Sequence, residues 1–561
     1  YAGTGRDLNA TSALHVEGVP PQMQWISIMH SSYTGLNVTT PDAPLVLSNC
    51  TVRNNRGYGI YVNSSTGLAH IDNCVVLYNG ADGIKYVHYD ERPSDRLDRA
   101  NVFDLCTFPT TSSQTFPITI SMEQGKYAQN SKQCPQHVFT RPGHVLTLQF
   151  LQMSTDRNDS AMIEVYDGMS SSEKLLARVS VRNSTLPQSV TSSRHHLYVR
   201  FSAEARTQMV AFIRLSSGYQ KIYDLNVTSS SIADNNGRGI AAENLRSSLH
   251  VHDTSVTNSN HVAGIHVLRG AADVNVTSSR ISYNNGAGIN ITMTGGFRNI
   301  SRSTISSNQG YGLAVWLNDT LGSEYIHFNQ STVVEYSEIF RNKDIGVFVG
   351  NATGISYVNI TGNCFNASSE TAVQIQSNWR NDGGRMRLQI GHNLFVENQK
   401  LGIKMTPALN VEGKIEYNHF RKHLYGGILI RNPLYEEFNL LPADLLVQHN
   451  EFYENRGVYV VSIGLSPYSD VQKLMFTRNF LRENVIKEPF DNSDVQGSRL
   501  VPRSRVAAAV VVSSSNVVVF RNILHNPHSQ YEVGSQLEDQ SKIINCTYNW
   551  LGHVEEQKIL G

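Results

Sequence analysis

The chain has 561 residues, no net formal charge and only 17% charged residues. Its length exceeds what one ordinary hydrophobic core supports, so it requires several domains or a repeat architecture. Sparse, balanced charge disfavours a nucleic-acid-binding protein. No apolar run reaches the roughly 18 residues that cross a bilayer. No leader-like segment opens the chain, so we expect a mature or excised part of a protein.

The first 40 residues are predicted to form irregular coils or a cap, because an uncapped solenoid would expose strand edges. A repeat follows, in which residues 48–60 and 72–84 align without a gap. Each unit contains short runs of alternating polarity around an asparagine turn. These runs are too short for helices, and their period of two predicts strands with one buried face.

The repeat is most regular between residues 228 and 350. The glycine of a Gly-apolar step recurs there every 24 or 25 residues, at Gly239, Gly264, Gly288 and Gly312. Such a fixed period is typical of a solenoid. With two or three short strands per repeat, it predicts a right-handed parallel β-helix. Five turn asparagines are expected to adopt left-handed geometry and to hydrogen-bond from coil to coil: Asn54, Asn79, Asn235, Asn284 and Asn308.

The repeat stops after Tyr86 and resumes near Tyr223. The interval contains longer alternating runs at hairpin spacing, which predict an antiparallel β-sandwich inserted into one coil. The expected fold is therefore all-β. We expect a cap and first coils over 1–105, the inserted sandwich over 106–218, and the main β-helix with a closing coil over 219–561.

Asn-X-Ser/Thr sequons are frequent and predict a secreted glycoprotein. The predicted glycosylation sites are Asn9, Asn37, Asn63, Asn158, Asn183, Asn226, Asn275, Asn290, Asn299, Asn318, Asn329, Asn351, Asn359 and Asn366. Two further sequons, at Asn49 and Asn545, adjoin cysteines, where burial would leave them without a glycan. No sequon occurs between Asn366 and Asn545, although the repeat continues.

The cysteines suggest two disulfides. Cys50 and Cys74 each precede a Gly-Ile step by nine residues and so occupy one column of adjacent coils. Adjacent strands lie about 4.8 Å apart, close to the Cα separation of a disulfide, which predicts a Cys50–Cys74 bridge. Stacked free thiols are the alternative.

Cys106 and Cys134 bracket the start of the insertion and are predicted as the second pair. Cys364 and Cys546 are too many coils apart to stack. They are expected to be unpaired core residues or to bind other partners.

A carbohydrate-active β-helix enzyme, such as a polysaccharide lyase or hydrolase, is the alternative function, and a glycan-binding module is a third. Such enzymes require converging carboxylates. The chain has no Asp-Asp pair and no acidic residue recurring in one column, so we expect no catalytic residue and no cofactor. His250 and His252 share a strand face, but no third ligand can be identified, so no metal site is predicted.

The insertion resembles a CUB domain through Cys106, Cys134 and the motif Val165-Tyr-Asp-Gly168. Calcium-binding members of that family carry an aspartate seven residues before the motif's glycine, where this chain has Ala161. They carry another after a Phe-Ser step, where this chain reads Phe201-Ser-Ala-Glu204. The resemblance implies the sandwich fold and does not extend to calcium-dependent ligand binding.

A glycosylated β-helix with a CUB-like insertion is similar to the extracellular region of the Anakonda (Bark beetle) family, insect transmembrane proteins of tricellular septate junctions. This resemblance implies non-catalytic adhesion that supports the epithelial barrier where three cells meet. It places the chain on the extracellular face of the plasma membrane, with the membrane anchor elsewhere in the protein. The implied partners are other junction proteins or copies of the same protein on neighbouring cells, including a homo-oligomer.

The sequon-free segment is predicted to make these contacts. Its enlarged loops carry Trp379, Tyr435 and Phe438. We predict that these three residues bind protein, because apolar side chains on exposed loops often anchor interfaces.

Overall fold

A computed structural model shows an all-β chain in two compact units. No helix occurs among the residues that it describes. Those residues are 12–552, apart from 19, 41–43, 65–67, 89–101, 105–117, 123–131, 140–143, 156–161, 181–188, 194, 204–208, 220–222, 246, 271, 293–295, 318–329, 353–354, 378–384, 433–441, 466–470, 488–506 and 538–540.

The strands fall into three groups along the chain. Before the insertion lie β1 (Leu14–Glu17), β2 (Met23–Gln24), β3 (Ser27–Met29), β4 (Leu36–Thr40), β5 (Leu45–Ser48), β6 (Thr51–Arg53), β7 (Ile60–Ser64), β8 (Ala69–Asp72), β9 (Val75–Leu77) and β10 (Ile84–His88). The insertion contains β11 (Val102–Asp104), β12 (Ile118–Met122), β13 (Lys132–Phe139), β14 (His144–Thr155), β15 (Met162–Tyr166), β16 (Leu175–Ser180), β17 (Ser189–Thr191), β18 (His196–Ala203) and β19 (Met209–Tyr219).

After it lie β20 (Leu225–Thr228), β21 (Ser231–Ala233), β22 (Ile240–Leu245), β23 (Ser248–His252), β24 (Ser255–Thr257), β25 (Ala263–Gly270), β26 (Asp273–Thr277), β27 (Arg280–Ser282), β28 (Ala287–Thr292), β29 (Phe297–Ser301), β30 (Thr304–Ser306), β31 (Leu313–Trp316), β32 (Gln330–Glu335), β33 (Glu338–Phe340), β34 (Val347–Ala352), β35 (Ile355–Thr361), β36 (Cys364–Asn366) and β37 (Val373–Ser377). The series continues with β38 (Arg385–Gly391), β39 (Leu394–Val396), β40 (Ile403–Met405), β41 (Val411–Glu416), β42 (His419–Arg421), β43 (Ile428–Arg431), β44 (Ala443–Gln448), β45 (Glu451–Tyr453), β46 (Arg456–Gly457), β47 (Tyr459–Gly464), β48 (Gln472–Thr477), β49 (Phe480–Arg482), β50 (Val485–Ile486), β51 (Ala508–Val512), β52 (Val517–Phe520), β53 (Ile523–His525) and β54 (Val533–Ser535).

Three long parallel sheets build the β-helix. Sheet A has the strand order β1-β4-β7-β10-β22-β25-β28-β31-β34-β37-β40-β43-β47-β51-β54. Sheet B has the order β2-β5-β8-β20-β23-β26-β29-β32-β35-β38-β41-β44-β48-β52. Sheet C has the order β3-β6-β9-β21-β24-β27-β30-β33-β36-β39-β42-β45-β49-β53. The coils on either side of the insertion stack directly, since β10 pairs with β22 with Ile84 opposite Ile240.

Alternate residues of these strands point inward and form one continuous core. One inward column of sheet A is fully buried from β4 to β43, at Leu36, Ile60, Ile84, Ile240, Ile265, Ile289, Leu313, Val347, Val373, Ile403 and Ile428. In sheet C the core changes to stacked phenylalanines, Phe365, Phe395, Phe420 and Phe452. Their ring centroids lie 4.9, 4.7 and 4.6 Å apart. The rings stack because each occupies the same place one coil further on.

An asparagine ladder runs along the corner between sheets C and A. The Nδ2 of Asn55 donates to Asn79 Oδ1, and the Nδ2 of Asn79 donates to Asn235 Oδ1, both at 2.9 Å. Asn284 and Asn308 continue it in the same way. The expected coil-to-coil bonding is confirmed for four of the five asparagines, but Asn54 was the wrong ladder residue in its coil.

Left-handed geometry is confirmed for Asn54, but in the coils of the other four asparagines it lies one residue earlier than we expected. Asn54 has φ 55° and Tyr78 has φ 53°, whereas Asn55 and Asn79 themselves make the ladder. Different residues supply the left-handed turn and the ladder hydrogen bonds. A ladder side chain must point inward, whereas the left-handed residue turns its side chain outward.

The conserved spacing of glycine and asparagine within each repeat has one steric cause. A Cβ added to Gly264 would lie 2.6 Å from the Nδ2 of Asn284 and 2.9 Å from the carbonyl oxygen of Gly288. The ladder asparagine therefore leaves room only for glycine at position 264.

At the corner between sheets B and C, Cys50 and Cys74 form hydrogen bonds and not the predicted disulfide. The backbone N–H of Cys50 donates to Cys74 Sγ at 3.4 Å, and that of Cys74 donates to Ser230 Oγ at 3.0 Å. Each thiol in turn donates to the carbonyl oxygen two residues before it, at 3.2 Å. Later coils use Ser, Thr and finally Asn at the same place.

The predicted Cys50–Cys74 disulfide is therefore wrong, because both thiols are free. One coil of translation leaves the two side chains parallel, whereas a disulfide needs Cβ vectors that converge. Burial raises the pKa of Cys74 to about 11, so its thiol stays protonated. Cys364 and Cys546 are also free. Cys106 and the side chain of Cys134 lie outside the described residues.

The second compact unit consists mainly of Tyr89–Ile222. It contains a five-stranded sheet of order β11-β12-β19-β14-β17 and a four-stranded sheet of order β13-β18-β15-β16. Every pairing is antiparallel except that of β11 with β12, which confirms the inserted sandwich. Because β11 belongs to this unit and β19 extends to Tyr219, the insertion is longer than the expected 106–218.

Glu164 anchors the four-stranded sheet. It is fully buried and pairs with Arg178 at 2.8 Å and also with Arg200. Burial alone would raise the pKa of Glu164, but hydrogen bonds from Arg200 and Arg178 outweigh it and lower the pKa. Two cations thus hold the carboxylate ionised inside the sheet.

Candidate functional site

The asparagines of the β-helix form two populations. Ladder asparagines such as Asn79 and Asn308 each accept a hydrogen bond at Oδ1 and donate one from Nδ2 inside the structure. The sequon asparagines in described strands, where their side chains are also described, instead lie on outward positions and are half-buried. Within the described residues, five of them have a buried Oδ1 without a hydrogen-bond partner: Asn37, Asn63, Asn290, Asn299 and Asn366. The Oδ1 atoms of these five asparagines therefore contribute no hydrogen bond to the described part of the fold.

Sheet B gathers sequon residues into one outward column. Asn226, Asn275, Asn299 and Asn359 follow one another in it, with His250 and Val333 interposed. Other described sequon asparagines lie on sheet A, at Asn37, Asn63 and Asn290, on sheet C, at Asn366, and between β5 and β6, at Asn49. Asn351 lies in β34, and its side chain is not described. Asn9, Asn158, Asn183, Asn318 and Asn329 lie outside the described residues. Glycosylation itself stays a prediction.

The same column changes character after Asn359. It continues through Gln389, Lys414, Leu446, Met475 and Val518. The next position is Asn545, which is exposed and begins a sequon. We call the outward surface of β41, β44, β48 and β52 the bare face. Its apolar outward residues begin at β44, because the outward side chains of β41 are all charged, and sequon asparagines lie beyond both ends of the face. The apolar residues are Leu446, Met475, Val518 and Phe520, and the charged ones are Glu412, Lys414, Glu416, Asp444 and Lys473.

Met475 is the most exposed apolar residue of this column, at 42%. Phe520 lies two residues from Val518 on the same face, beneath the guanidinium of Arg521 at 5.6 Å. Beside Leu446 and Met475, the neighbouring outward column carries Asp444 and Lys473, which lie opposite each other on adjacent strands and are both exposed. An exposed apolar strip edged by both signs of charge is typical of a protein contact.

Sheet C carries a second exposed group in the same coils. Ile523 is 42% exposed and is bridged to Trp550, which is 49% exposed. Nearby, Glu451 binds Arg482 and His419, each at 2.8 Å. Burial by itself would raise the pKa of Glu451, but the hydrogen bonds from Arg482 and His419 lower it.

The corner between these sheets carries a short aromatic stack. His392, Tyr417 and His449 stack with ring centroids 5.1 and 4.9 Å apart. All three have positive φ, which turns their side chains outward.

A charged cluster on sheet A is satisfied internally. Arg238 binds Asp82 through its guanidinium at 2.8 Å, and it lies 3.8 Å from Glu243. It also lies 3.0 Å from His266. Burial, followed by the charge of Arg238, lowers the pKa of His266 to about 4. These carboxylates are neutralised by cations and do not converge on an open cleft.

The two candidate metal-binding histidines make ordinary contacts. His250 bonds Ser248 Oγ and His252 bonds Thr277 Oγ1, each at 2.8 Å. Over the part of the chain that the structure describes, no three His, Cys, Asp or Glu side chains are grouped to hold a metal ion. The predicted interface residues Trp379, Tyr435 and Phe438 lie outside the described residues.

The bare face was missed at the sequence level. Its column is spaced by 25 to 43 residues in these coils, as the register from Gln389 to Val518 shows. Unequal loops hide the alignment until the strands are paired. The sequon gap was the one signal that pointed to this region.

Comparison with known proteins extends these observations. Residues 110–214 match the CUB domain family, and residues 22–94 match the right handed beta helix region family. The predicted right-handed β-helix with a CUB-like insertion is thereby confirmed. No helix in the described ranges has the length and apolar character to span a membrane.

Two solved structures are distantly similar. The Agl-KA catalytic domain is 10% identical, with 78% of this chain and 90% of that chain covered, at a TM-score of 0.23. The catalytic unit of a GH87 alpha-1,3-glucanase from Streptomyces thermodiastaticus is 11% identical, with 76% and 94% covered, at a TM-score of 0.24. Scores this low carry no argument about function.

A curated relative matches along the whole chain. Protein bark beetle of Drosophila melanogaster is 52% identical over 574 residues, which is 100% of this chain. The alignment spans 18% of that relative's length. With its β-helix, its CUB insertion and this identity throughout, the chain belongs to the bark beetle (Anakonda) family.

Proposed function

We propose that the chain is a non-catalytic adhesion and scaffold segment of an extracellular junction protein that supports the epithelial barrier where three cells meet. The observation that carries this proposal is the 52% identity to Protein bark beetle along the full length of the chain. The proposal places the segment on the extracellular face of the plasma membrane, with its anchor elsewhere in the protein.

The architecture supports this role. Stacked coils give a rod whose stability comes from local contacts between neighbours, which suits a spacer between cells. The sequon asparagines make few internal hydrogen bonds, so glycans attached there would leave the core intact. The partners we propose are copies of the same protein or other junction proteins. Trp379, Tyr435 and Phe438 remain candidate contact residues.

The function can be tested in an epithelium depleted of the endogenous protein. The full-length protein, intact or lacking only the region equivalent to residues 1–561, is re-expressed, and its enrichment at three-cell vertices and dye exclusion by the tissue are measured. We expect the intact protein to restore both and the deleted protein to restore neither, provided that both reach the cell surface equally. Full restoration by the deleted protein would contradict the proposal.

Biochemical turnover provides a second check. The 561-residue chain is incubated with pectin, alginate and glycosaminoglycans, and new reducing or unsaturated ends are measured. We expect none above a heat-denatured control, and robust turnover would favour the carbohydrate-active alternative.

A further inference from the structure

The bare face lies where the column of sequon asparagines on sheet B is interrupted. Asn359 lies three strand steps from Leu446, about 14 Å at ordinary strand spacing. Asn545 lies one step beyond Val518 at the other end. Glycans on these two asparagines would frame Leu446 and Met475 and leave them uncovered. A docking partner on sheet B would therefore be confined to this strip.

We propose that the bare face binds the bare face of a second copy of this chain. The inference rests on the proposed junction function and specifies the surface that would serve it. The two copies pack sheet against sheet, with their β-helix axes antiparallel and related by a two-fold axis between β44 and β48.

The register of these two strands makes the face self-complementary. Leu446 is paired with Met475, and Asp444 is paired with Lys473. A two-fold axis that runs along the strands midway between them exchanges the two strands. Asp444 of one copy then lies opposite Lys473 of the other, and Leu446 lies opposite Met475. An isologous contact requires this kind of pattern, in which each patch matches itself after rotation.

The regular spacing of the outward rows also favours a second copy of this chain as the partner. The outward rows of a parallel sheet recur at about 4.8 Å, and another face of the same solenoid has the same period. The rows at Leu446 and Met475 can then interdigitate with their counterparts, while Val518 lies opposite Lys414 of the other copy.

The expected contact is small. Four strands of about six residues cover roughly 19 Å by 20 Å, or about 400 Å² from each copy. The total lies below that of a standard stable interface, so a single contact is weak. Many copies held at one membrane contact would multiply its strength through effective concentration.

A charge exchange tests the arrangement directly. Sedimentation of the 561-residue chain, over a wide concentration range, is compared for the wild type, Asp444→Lys, Lys473→Asp and the double exchange. Each single variant places like charges opposite each other, so we expect self-association to weaken about tenfold or more. The double variant restores opposite pairing and should return close to wild type. A monomeric wild type, or a double variant as weak as the singles, would overturn the proposal.

A glycan attached to the bare face provides an independent test of self-association. Met475→Asn creates a sequon with Phe476 and Thr477, and the matched control Val46→Asn creates one with Leu47 and Ser48 in the same outward column. With occupancy verified by mass and folding by circular dichroism, we expect association to be lost only for Met475→Asn. Equal association of both glycosylated variants would also overturn the proposal.

Failure of the proposal can be separated from failure of the proposed function. If the wild type is monomeric but deletion of the segment still abolishes vertex enrichment in tissue, the junction role stands and the second copy is wrong. If deletion has no effect on vertex enrichment, the junction role itself is wrong.

Discussion

Replacing His423 by asparagine should make the β-helix less sensitive to acid. His423 is fully buried in the column where other coils place ladder asparagines, and Asn455 Oδ1 accepts its backbone N–H at 3.1 Å. Burial lowers the pKa of His423 to about 4. Its Nε2 has no hydrogen-bond partner among the described residues. The imidazole is therefore neutral in the folded chain at physiological pH.

The sign of the effect follows from linkage. In the unfolded chain a histidine titrates near pH 6.5, so between about pH 6.5 and 4 the unfolded state binds the extra proton and folding is weakened. From a folded pKa of about 4, His423 alone should cost about 2 kcal/mol on going from pH 7.4 to pH 5. An asparagine cannot titrate, and it would extend the ladder.

Urea unfolding of the β-helix at the two pH values provides the measurement. We expect His423→Asn to lose about 2 kcal/mol less than the wild type between pH 7.4 and pH 5. Ser368→Asn is the matched control, because it adds an asparagine to the same column without removing an imidazole. Its pH dependence should equal that of the wild type. An unchanged pH dependence for His423→Asn would refute the reasoning.

Three other predictions concern the core and its corners. Phe420→Ala should destabilise the β-helix by about 3–5 kcal/mol, because it leaves a cavity between two buried rings with centroids 4.6–4.7 Å away. Phe420→Leu fills much of that cavity and should cost clearly less in the same urea titration, and equal costs would contradict a role for buried volume. Cys50→Ser with Cys74→Ser should change stability by less than about 1 kcal/mol, since serine fills the same hydrogen-bonding place in the next coil. Alkylation of the unreduced, denatured wild type should label both cysteines, and a linked peptide would contradict this. Asp224→Ala should lower the free energy of unfolding by about 1–3 kcal/mol, because Asp224 is fully buried and accepts the N–H of Ser247 at 2.6 Å where the chain re-enters the β-helix. A melting temperature equal to that of the wild type would contradict this prediction.

The sequence predicted the repeated parts of the fold well for a physical reason. A residue such as Gly264 or Asn308 has similar surroundings in most coils, so the same residue type recurs many times in the sequence. The inserted sandwich was visible because its strands are longer than those of a coil. The Cys50–Cys74 disulfide was predicted wrongly because column position gives the spacing of two side chains but not the directions in which they point.

The candidate site was only partly predictable. The absence of sequons marked the region, but the residues proposed from it, Trp379, Tyr435 and Phe438, came from loops. The bare face lies instead on strand residues such as Leu446 and Met475, which alternate with core positions. Only strand pairing shows that they share a column with Asn359.

Vertex enrichment of variants in the bare face tests most directly whether this face serves the proposed junction function. In tissue depleted of the endogenous protein, full-length protein carrying Met475→Asn or the control Val46→Asn is expressed, with both sequons occupied, and vertex enrichment is quantified by fluorescence. We expect Met475→Asn to abolish enrichment and Val46→Asn to retain it. Enrichment equal to the intact protein in both variants would contradict the claim that the bare face mediates junction assembly.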